Sequence, residues 1–235
     1  MKIALIGYGK MGKILEIKAK ERNHTISKIL KNKNWTSQDL MDSDMAIDFS
    51  SPDSAVDNIH KAFKANVPIV VGTTGWNKGF DKVKNWCNEY NGAILPSSNF
   101  SLGVNIFFEI NKKLSKIMNQ QKSYSAKINE THHTEKVDSP SGTAITTAEI
   151  ILEEMDDYSN WVSNNSNYGN NLPIIAKRQA GEPGTHEVIY ESNIDELSIS
   201  HRAKNRDGFA IGAIIAAEFL YNKKGLFSMK DVVKF

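Results

Sequence analysis

Two hydrophobic rhythms divide this chain. Up to about residue 100, short unbroken apolar runs alternate with helix-length amphipathic stretches, and Ile3–Ile6, Thr25–Leu30, Met45–Phe49, Val67–Val71 and Ala93–Leu95 read as strands. Runs without polar interruption suit strands covered on both faces, which predicts a parallel sheet wrapped by helices. After Phe100 the rhythm changes. A helix from Val104 to about Met118 leads into a strand over 123–130, where Tyr124, Ala126, Ile128 and Glu130 alternate with Ser123, Ser125, Lys127 and Asn129. Segments around 174–178, 186–191 and 197–201 alternate too. Such alternation predicts antiparallel pairing, with one face covered and the other free to pair subunits. The stretch Phe209–Leu220 is apolar nearly all round, so it predicts a helix that returns to the first domain for cover.

The first strand runs into Gly7-Tyr8-Gly9-Lys10-Met11-Gly12, and a helix follows with Met11, Ile14, Leu15 and Ala19 on one face. Strand, glycine turn and helix form the opening unit of a dinucleotide-binding fold, in which glycines let the backbone approach a pyrophosphate at a helix N-terminus. Ligands of such folds lie beyond the carboxyl ends of the strands. Those ends carry Asp48-Phe49-Ser50-Ser51, then Gly72-Thr73-Thr74-Gly75-Trp76, then Ser97-Ser98-Asn99-Phe100. Small hydroxyls, glycines and an amide suit ribose and nicotinamide. About 20 residues past the glycines, an NAD-selective site would carry an acidic side chain. Here the chain reads Lys31-Asn32-Lys33-Asn34, which suits the 2′-phosphate of NADPH or tolerance of both cofactors, unless these lysines are only a solvated loop. The expected architecture is α/β. A Rossmann-type parallel sheet occupies 1–100 and 206–235, and an α+β domain with an antiparallel sheet occupies 101–205.

Residues 130–144, ETHHTEKVDSPSGTA, gather the candidate chemistry. His132 and His133 are expected just past the end of the 123–130 strand. Histidine titrates near neutral pH, with an ordinary pKa of about 6.5, so a positioned pair can divide proton transfer and anion recognition. Lys136 adds a cation, and burial could also make it a proton donor. Asp138, Ser139 and Pro140 favour a turn, Gly142 relieves crowding, and Thr143–Leu152 predicts a helix whose first N–H groups would face an anion. No metal is expected. Adjacent histidines on an extended segment point to opposite sides, and Cys87 is the sole cysteine, so no thiolate cluster can form.

Composition narrows the alternatives. A chain of 235 residues, 40% hydrophobic and 24% charged, suits one large or two small globular domains. Its net charge of +2, without a Lys/Arg run interleaved with aromatics, argues against nucleic acid. The longest apolar stretch, Phe209–Ala217, is too short to span a membrane, and the Met-Lys start leads into a core strand rather than a signal peptide. A lone cysteine fits a reducing cytoplasm. Ser159–Asn171, rich in Asn and Ser, reads as a surface loop.

The segment at 130–144 resembles the E-x-H-H-x-x-K-x-D-x-P-S-G-T-A signature of the 4-hydroxy-tetrahydrodipicolinate reductases, the dihydrodipicolinate reductase family of lysine and diaminopimelate biosynthesis. Supporting matches are Gly7–Gly12, Val71–Gly75, Ser98–Ser101, Gly184–Glu187, and the stretch from His201-Arg202-Ala203 to Phe209-Ala210. Ser139 departs from the family's usual alanine, the glycine turn is a residue shorter than in many members, and the connection between Leu30 and Met45 is clipped. The resemblance implies hydride transfer from NADPH or NADH to a cyclic dicarboxylate imine, in a cytoplasmic homotetramer assembled through a substrate domain whose sheet is mixed, largely antiparallel. It makes His132 the proton donor or acceptor, Lys136 the proton donor and His133 a holder of a substrate carboxylate, with Gly142 and Thr143 binding substrate. Gly7, Tyr8, Gly9, Lys10, Met11, Gly12, Lys31, Phe49, Gly72, Thr73, Thr74, Ser97, Ser98, Asn99 and Phe100 become the cofactor residues. Other two-domain NAD(P)-dependent oxidoreductases of small acids, and non-catalytic dinucleotide sensors, are the competing classes.

Overall fold

The computed structural model describes residues 1–163 and 169–234. In chain order the elements are β1 (Lys2–Ile6), α1 (Lys10–Glu21), β2 (Thr25–Leu30), β3 (Met45–Asp48), α2 (Pro52–Lys64), β4 (Ile69–Val71), α3 (Phe80–Glu89), β5 (Ala93–Pro96), α4 (Leu102–Met118) and β6 (Ser125–His132). They continue with α5 (Gly142–Glu154), β7 (Asn160–Ser163), β8 (Asn171–Arg178), β9 (Thr185–Glu191), β10 (Glu196–Arg202), α6 (Asp207–Leu220), β11 (Gly225–Leu226) and α7 (Met229–Val233). Two compact units result, Met1–Leu102 with Asp207–Phe235, and Gly103–Arg206.

The first unit is built on a six-stranded sheet ordered β11-β5-β4-β3-β1-β2, every pair of which is parallel. Its strands are apolar because both faces are covered. One face packs Leu15 and Ala19 of α1 and the apolar α6, with Ala210, Ala213, Ile214, Ala217 and Leu220 fully buried. The other face packs α2 and α3 through Ala55, Ile59, Phe63, Val83 and Cys87. The all-round apolar character of α6 is thereby accounted for: it lies in the core of this unit. Close approach there requires glycine, since a Cβ at Gly212 would stand 1.8 Å from the Phe100 carbonyl oxygen.

The second unit carries a five-stranded mixed sheet, β10-β9-β6-β8-β7. β10–β9 and β9–β6 pair antiparallel, whereas β6–β8 and β8–β7 pair parallel. The alternation around 174–178 therefore does not mark an antiparallel strand. Two-faced exposure makes a strand alternate whichever way its neighbours run. Ala126, Ile128, Leu172, Ile174, Val188 and Tyr190 pack on α4 and α5 through Phe107, Ala144, Ala148 and Ile151. Part of the Ser159–Asn171 segment is strand rather than loop, because Asn160–Ser163 pairs with Asn171–Ile174; residues 164–168 lie outside the described residues.

Gly212→Ala is expected to lower the unfolding free energy by at least about 1–3 kcal/mol, the usual result of forcing atoms into a filled core. Gly208→Ala on the same helix, where a Cβ meets nothing nearer than 3.7 Å, should leave urea-unfolding stability within about 1 kcal/mol.

Candidate functional site

In the first unit, Gly7, Gly9 and Gly12 occupy the first, third and sixth places of the turn between β1 and α1, the full dinucleotide spacing. Gly7 adopts φ +85°, and a Cβ there would stand 2.2 Å from the Phe49 carbonyl oxygen. A Cβ at Gly12 would meet the Gly7 carbonyl oxygen at 2.5 Å, whereas one at Gly9 would meet nothing within 4 Å. Thus Gly7 and Gly12 close the turn, and Gly9 leaves backbone open to a ligand. α1 begins at Lys10, so the partial positive charge of its N-terminus lies at this opening.

Two clefts meet there. One, of about 300 Å³, is lined by Gly7, Tyr8, Gly9, Lys31, Asn32, Lys33, Phe49 and Ser50, among others. The second, of about 360 Å³, is lined by Gly9, Lys10, Met11, Phe49, Gly72, Thr73 and Thr74, with Ser50 and Pro52. Among the described residues, no carboxylate lines either cleft, and Lys31 Nζ sits 5.1 Å from the Tyr8 ring centroid. The donor set therefore fits an anionic dinucleotide. Beneath the clefts lies a group that sequence reading left without a role. Asp48 is fully buried and accepts hydrogen bonds from Ser50 N–H (2.8 Å), Asn58 Nδ2 (3.0 Å) and Thr73 Oγ1 (2.9 Å). These bonds tie the ends of β3 and β4 to α2. Burial pushes the Asp48 carboxyl above its ordinary range, although the three donors oppose that shift.

Ser97, Ser98, Asn99 and Phe100 are not among the residues lining the two clefts. Ser97 Oγ donates to the Asn99 carbonyl oxygen at 2.8 Å, and Asn99 Oδ1 accepts from Ser101 N–H at 2.9 Å. Phe100 is buried in the core, its ring 6.0 Å from that of Phe49.

In the second unit, β6 begins and ends two residues later than its sequence pattern suggests. His132 is its last residue, paired with Arg178, rather than a residue past its end. The error has a simple cause, because polar residues at a strand's end carry no apolar signal even where the backbone ladder continues. Period-two alternation then places Glu130 and His132 on the buried face with Ala126 and Ile128. Glu130 has no exposed surface, and its two carboxylate oxygens accept the Ser141 N–H at 3.1 and 3.2 Å. Arg178 Nη1 lies 3.5 Å from Glu130, His132 Nδ1 3.3 Å and His186 Nε2 3.7 Å. Glu130 and His186 face each other across the β6–β9 ladder.

Burial would raise the Glu130 carboxyl, but His132 and the Ser141 donor outweigh it and hold the group down at about 2. His186 is pushed down to about 3, mainly by burial and then by the charge of His132. A neutral His186 is well placed to share a hydrogen bond with Ser141 Oγ at 3.0 Å, and that oxygen also caps α5 by accepting from Ala144 N–H. Glu130, His132 and His186 offer donor atoms within 4.8 Å of one another, a spacing that could hold a metal ion. The carboxylate and His186 Nε2 are already engaged with Ser141. Sequence reading gave Arg178, Ser141 and His186 no role, although Ser141 and His186 lie in segments it singled out, because they meet Glu130 only across strands and a helix start.

The remaining candidates sit in the following loop. Lys136 Nζ pairs with Asp138 at 2.8 Å, and Arg178 donates to the Lys136 and Asp138 carbonyl oxygens at 3.4 and 2.6 Å. Asp138 is held below its ordinary range because Lys136 beside it outweighs burial. His133 is half-buried, Thr143 is half-buried and Gly142 is exposed, with open space where a Cβ would be. The helix expected over Thr143–Leu152 spans Gly142–Glu154.

A parallel sheet with a glycine turn and paired clefts, joined to a mixed sheet bearing a buried Glu-His cluster, defines a two-unit nucleotide-dependent oxidoreductase build. Family profiles described as the dihydrodipicolinate reductase N-terminus and C-terminus match residues 1–100 and 103–233, so the chain belongs to the dihydrodipicolinate reductase family. It is 48% identical over 235 residues to the 4-hydroxy-tetrahydrodipicolinate reductase of Christiangramia forsetii, covering 99% of this chain and 98% of the relative. The enzyme of that name from Thermosipho africanus is 32% identical, over 100% and 98% of the two chains. The fold matches a dipicolinate-bound dihydrodipicolinate reductase from Paenisporosarcina sp. TG-14, with a TM-score of 0.81 and 19% identity over 98% of each chain.

Both depressed groups favour the fold at neutral pH. The His186 contribution is present above about 6.5 and is lost as pH falls toward about 3; that of Glu130 is present above about 4.5 and is lost toward about 2. Urea unfolding across this range should show stability falling with pH, and His186→Asn should flatten the fall between pH 6.5 and 4.5. An unchanged slope would contradict the assignment.

Proposed function

We propose that this chain catalyses the NAD(P)H-dependent reduction of 4-hydroxy-tetrahydrodipicolinate to tetrahydrodipicolinate in diaminopimelate and lysine synthesis. The observation that carries the reading is the placement of His132 on the buried face of β6 beside Glu130, with Lys136 and the start of α5 in the same short segment. A cyclic imine with two carboxylates needs clustered donors for its acid groups and a proton source near its ring. His133, the Gly142 N–H and the Thr143 hydroxyl serve the carboxylates. His132 and Lys136 serve the proton. Lys136 pairs with Asp138 in the same loop, a contact that a substrate carboxylate would compete for.

The nicotinamide supplies a hydride to C4 of the substrate ring after loss of its 4-hydroxyl, and C3 is protonated. Gly7, Tyr8, Gly9, Lys10, Met11 and Gly12 form the pyrophosphate turn. Phe49, Gly72, Thr73 and Thr74 line the cleft beyond it, and Ser97, Ser98, Asn99 and Phe100 shape the edge of β5. Lys31 and Lys33 line the first cleft, whose lining carries no carboxylate, and suit NADPH at least as well as NADH. Among the described residues no helix is long and apolar enough to cross a membrane. We place the enzyme in the cytoplasm as a homotetramer paired through the second unit, with no nucleic-acid partner.

An assay with enzymatically generated substrate, following NADH and NADPH separately, tests this reading. Oxidation of neither would remove it, and NADH binding about tenfold tighter than NADPH would remove the role of Lys31. His132→Gln and Lys136→Ala should each lower kcat by about 100- to 10,000-fold. Near wild-type turnover in both would overturn their assignment.

A further inference from the structure

The buried face of β6 holds more than the reaction above uses. Glu130 is enclosed by the Ser141 N–H, Arg178 and two histidines, and it stays ionised there with no exposed surface. An ionised carboxylate is costly to bury unless its partners are fixed. His132 presents its two nitrogens to different surroundings. Nδ1 is wholly buried and makes no hydrogen bond of good geometry, yet Glu130 Oε2 stands 3.3 Å away and a small turn of the ring completes the contact. Nε2 lies beside Gly184, where a Cβ would stand 3.0 Å from it and 3.1 Å from Cδ2. Any larger residue at 184 would crowd that side of the ring. His186, held neutral by burial, packs edge-on against His132 with ring centroids 5.0 Å apart and limits how far the imidazole can swing.

We propose that Glu130 and Gly184 are positioning residues for His132. Glu130 accepts the Nδ1 proton and so fixes one tautomer, and Gly184 leaves Nε2 as the nitrogen open to exchange a proton with substrate. The logic is that of any imidazole whose reactive nitrogen is set by the hydrogen bond at the other. The proposal rests on the reading that His132 takes part in proton exchange.

Nitrogen NMR of the full chain labelled with ¹⁵N-histidine tests it, the His132 signal being assigned by its loss in His132→Gln. In the neutral ring the proton should reside on Nδ1, and Glu130→Gln should spread it over both nitrogens. The same variant should lower kcat about 10- to 100-fold while KM for the substrate stays within about threefold, with part of the rate restored in Glu130→Asp. A wild-type His132 protonated at Nε2 would overturn the proposal, as would a Glu130→Gln enzyme with unchanged tautomer and rate. The wild-type tautomer decides the matter even if the variant does not fold. Full turnover in His132→Gln would instead overturn the catalytic assignment, and it is read independently of the tautomer.

Discussion

The charge on Glu130 is the constraint around which the second unit is arranged. A carboxylate with no exposed surface must find its partners inside the protein, and it draws on four separate elements to do so. β6 supplies Glu130 and His132, β8 supplies Arg178 and β9 supplies His186, while the start of α5 supplies the Ser141 N–H. Each partner has a further duty. Arg178 also holds the loop of Lys136 and Asp138 through its carbonyl oxygens, and Ser141 also caps α5. One buried charge therefore fixes the ends of strands, a loop and a helix that would otherwise be free to shift. These are the segments that carry His132, His133, Lys136, Gly142 and Thr143.

The first unit achieves the same end with backbone rather than charge. Gly7 lets β1 pass against the carbonyl of Phe49, Gly212 lets α6 lie on that of Phe100, and Gly72 faces the Phe49 ring at a distance no Cβ could occupy. Asp48 then joins Ser50, Asn58 and Thr73 under the clefts. Open backbone at Gly9, the start of α1 and the lysines at 31 and 33 make this end suited to an anion without any specific base contact.

Much of this was legible in the sequence, for identifiable reasons. The strands of the first sheet announce themselves because both faces are buried and nearly every residue is apolar. α6 was legible as a buried helix because its apolar residues run all round. Shorter or more polar pieces were not: β7 lies in an Asn- and Ser-rich stretch, and β11 spans only Gly225–Leu226. Within the site, the residues gathered at 130–144 were visible because they are adjacent in sequence. The parts played by Arg178 and His186 were not, even though His186 falls in the matched stretch Gly184–Glu187, since only the ladders of β8 and β9 bring them to Glu130. The continuation of β6 through His132 was missed because a strand's polar end looks like a loop.

The central claim is that a dinucleotide held in the first unit delivers hydride while groups of the second unit deliver the proton. Isotope labelling addresses it directly. Turnover with NADPH deuterated at the transferring C4 position should place that deuterium at C4 of the product ring, and turnover in D₂O should place solvent deuterium at C3. Solvent deuterium at C4, or cofactor label that never reaches the product, would contradict the account.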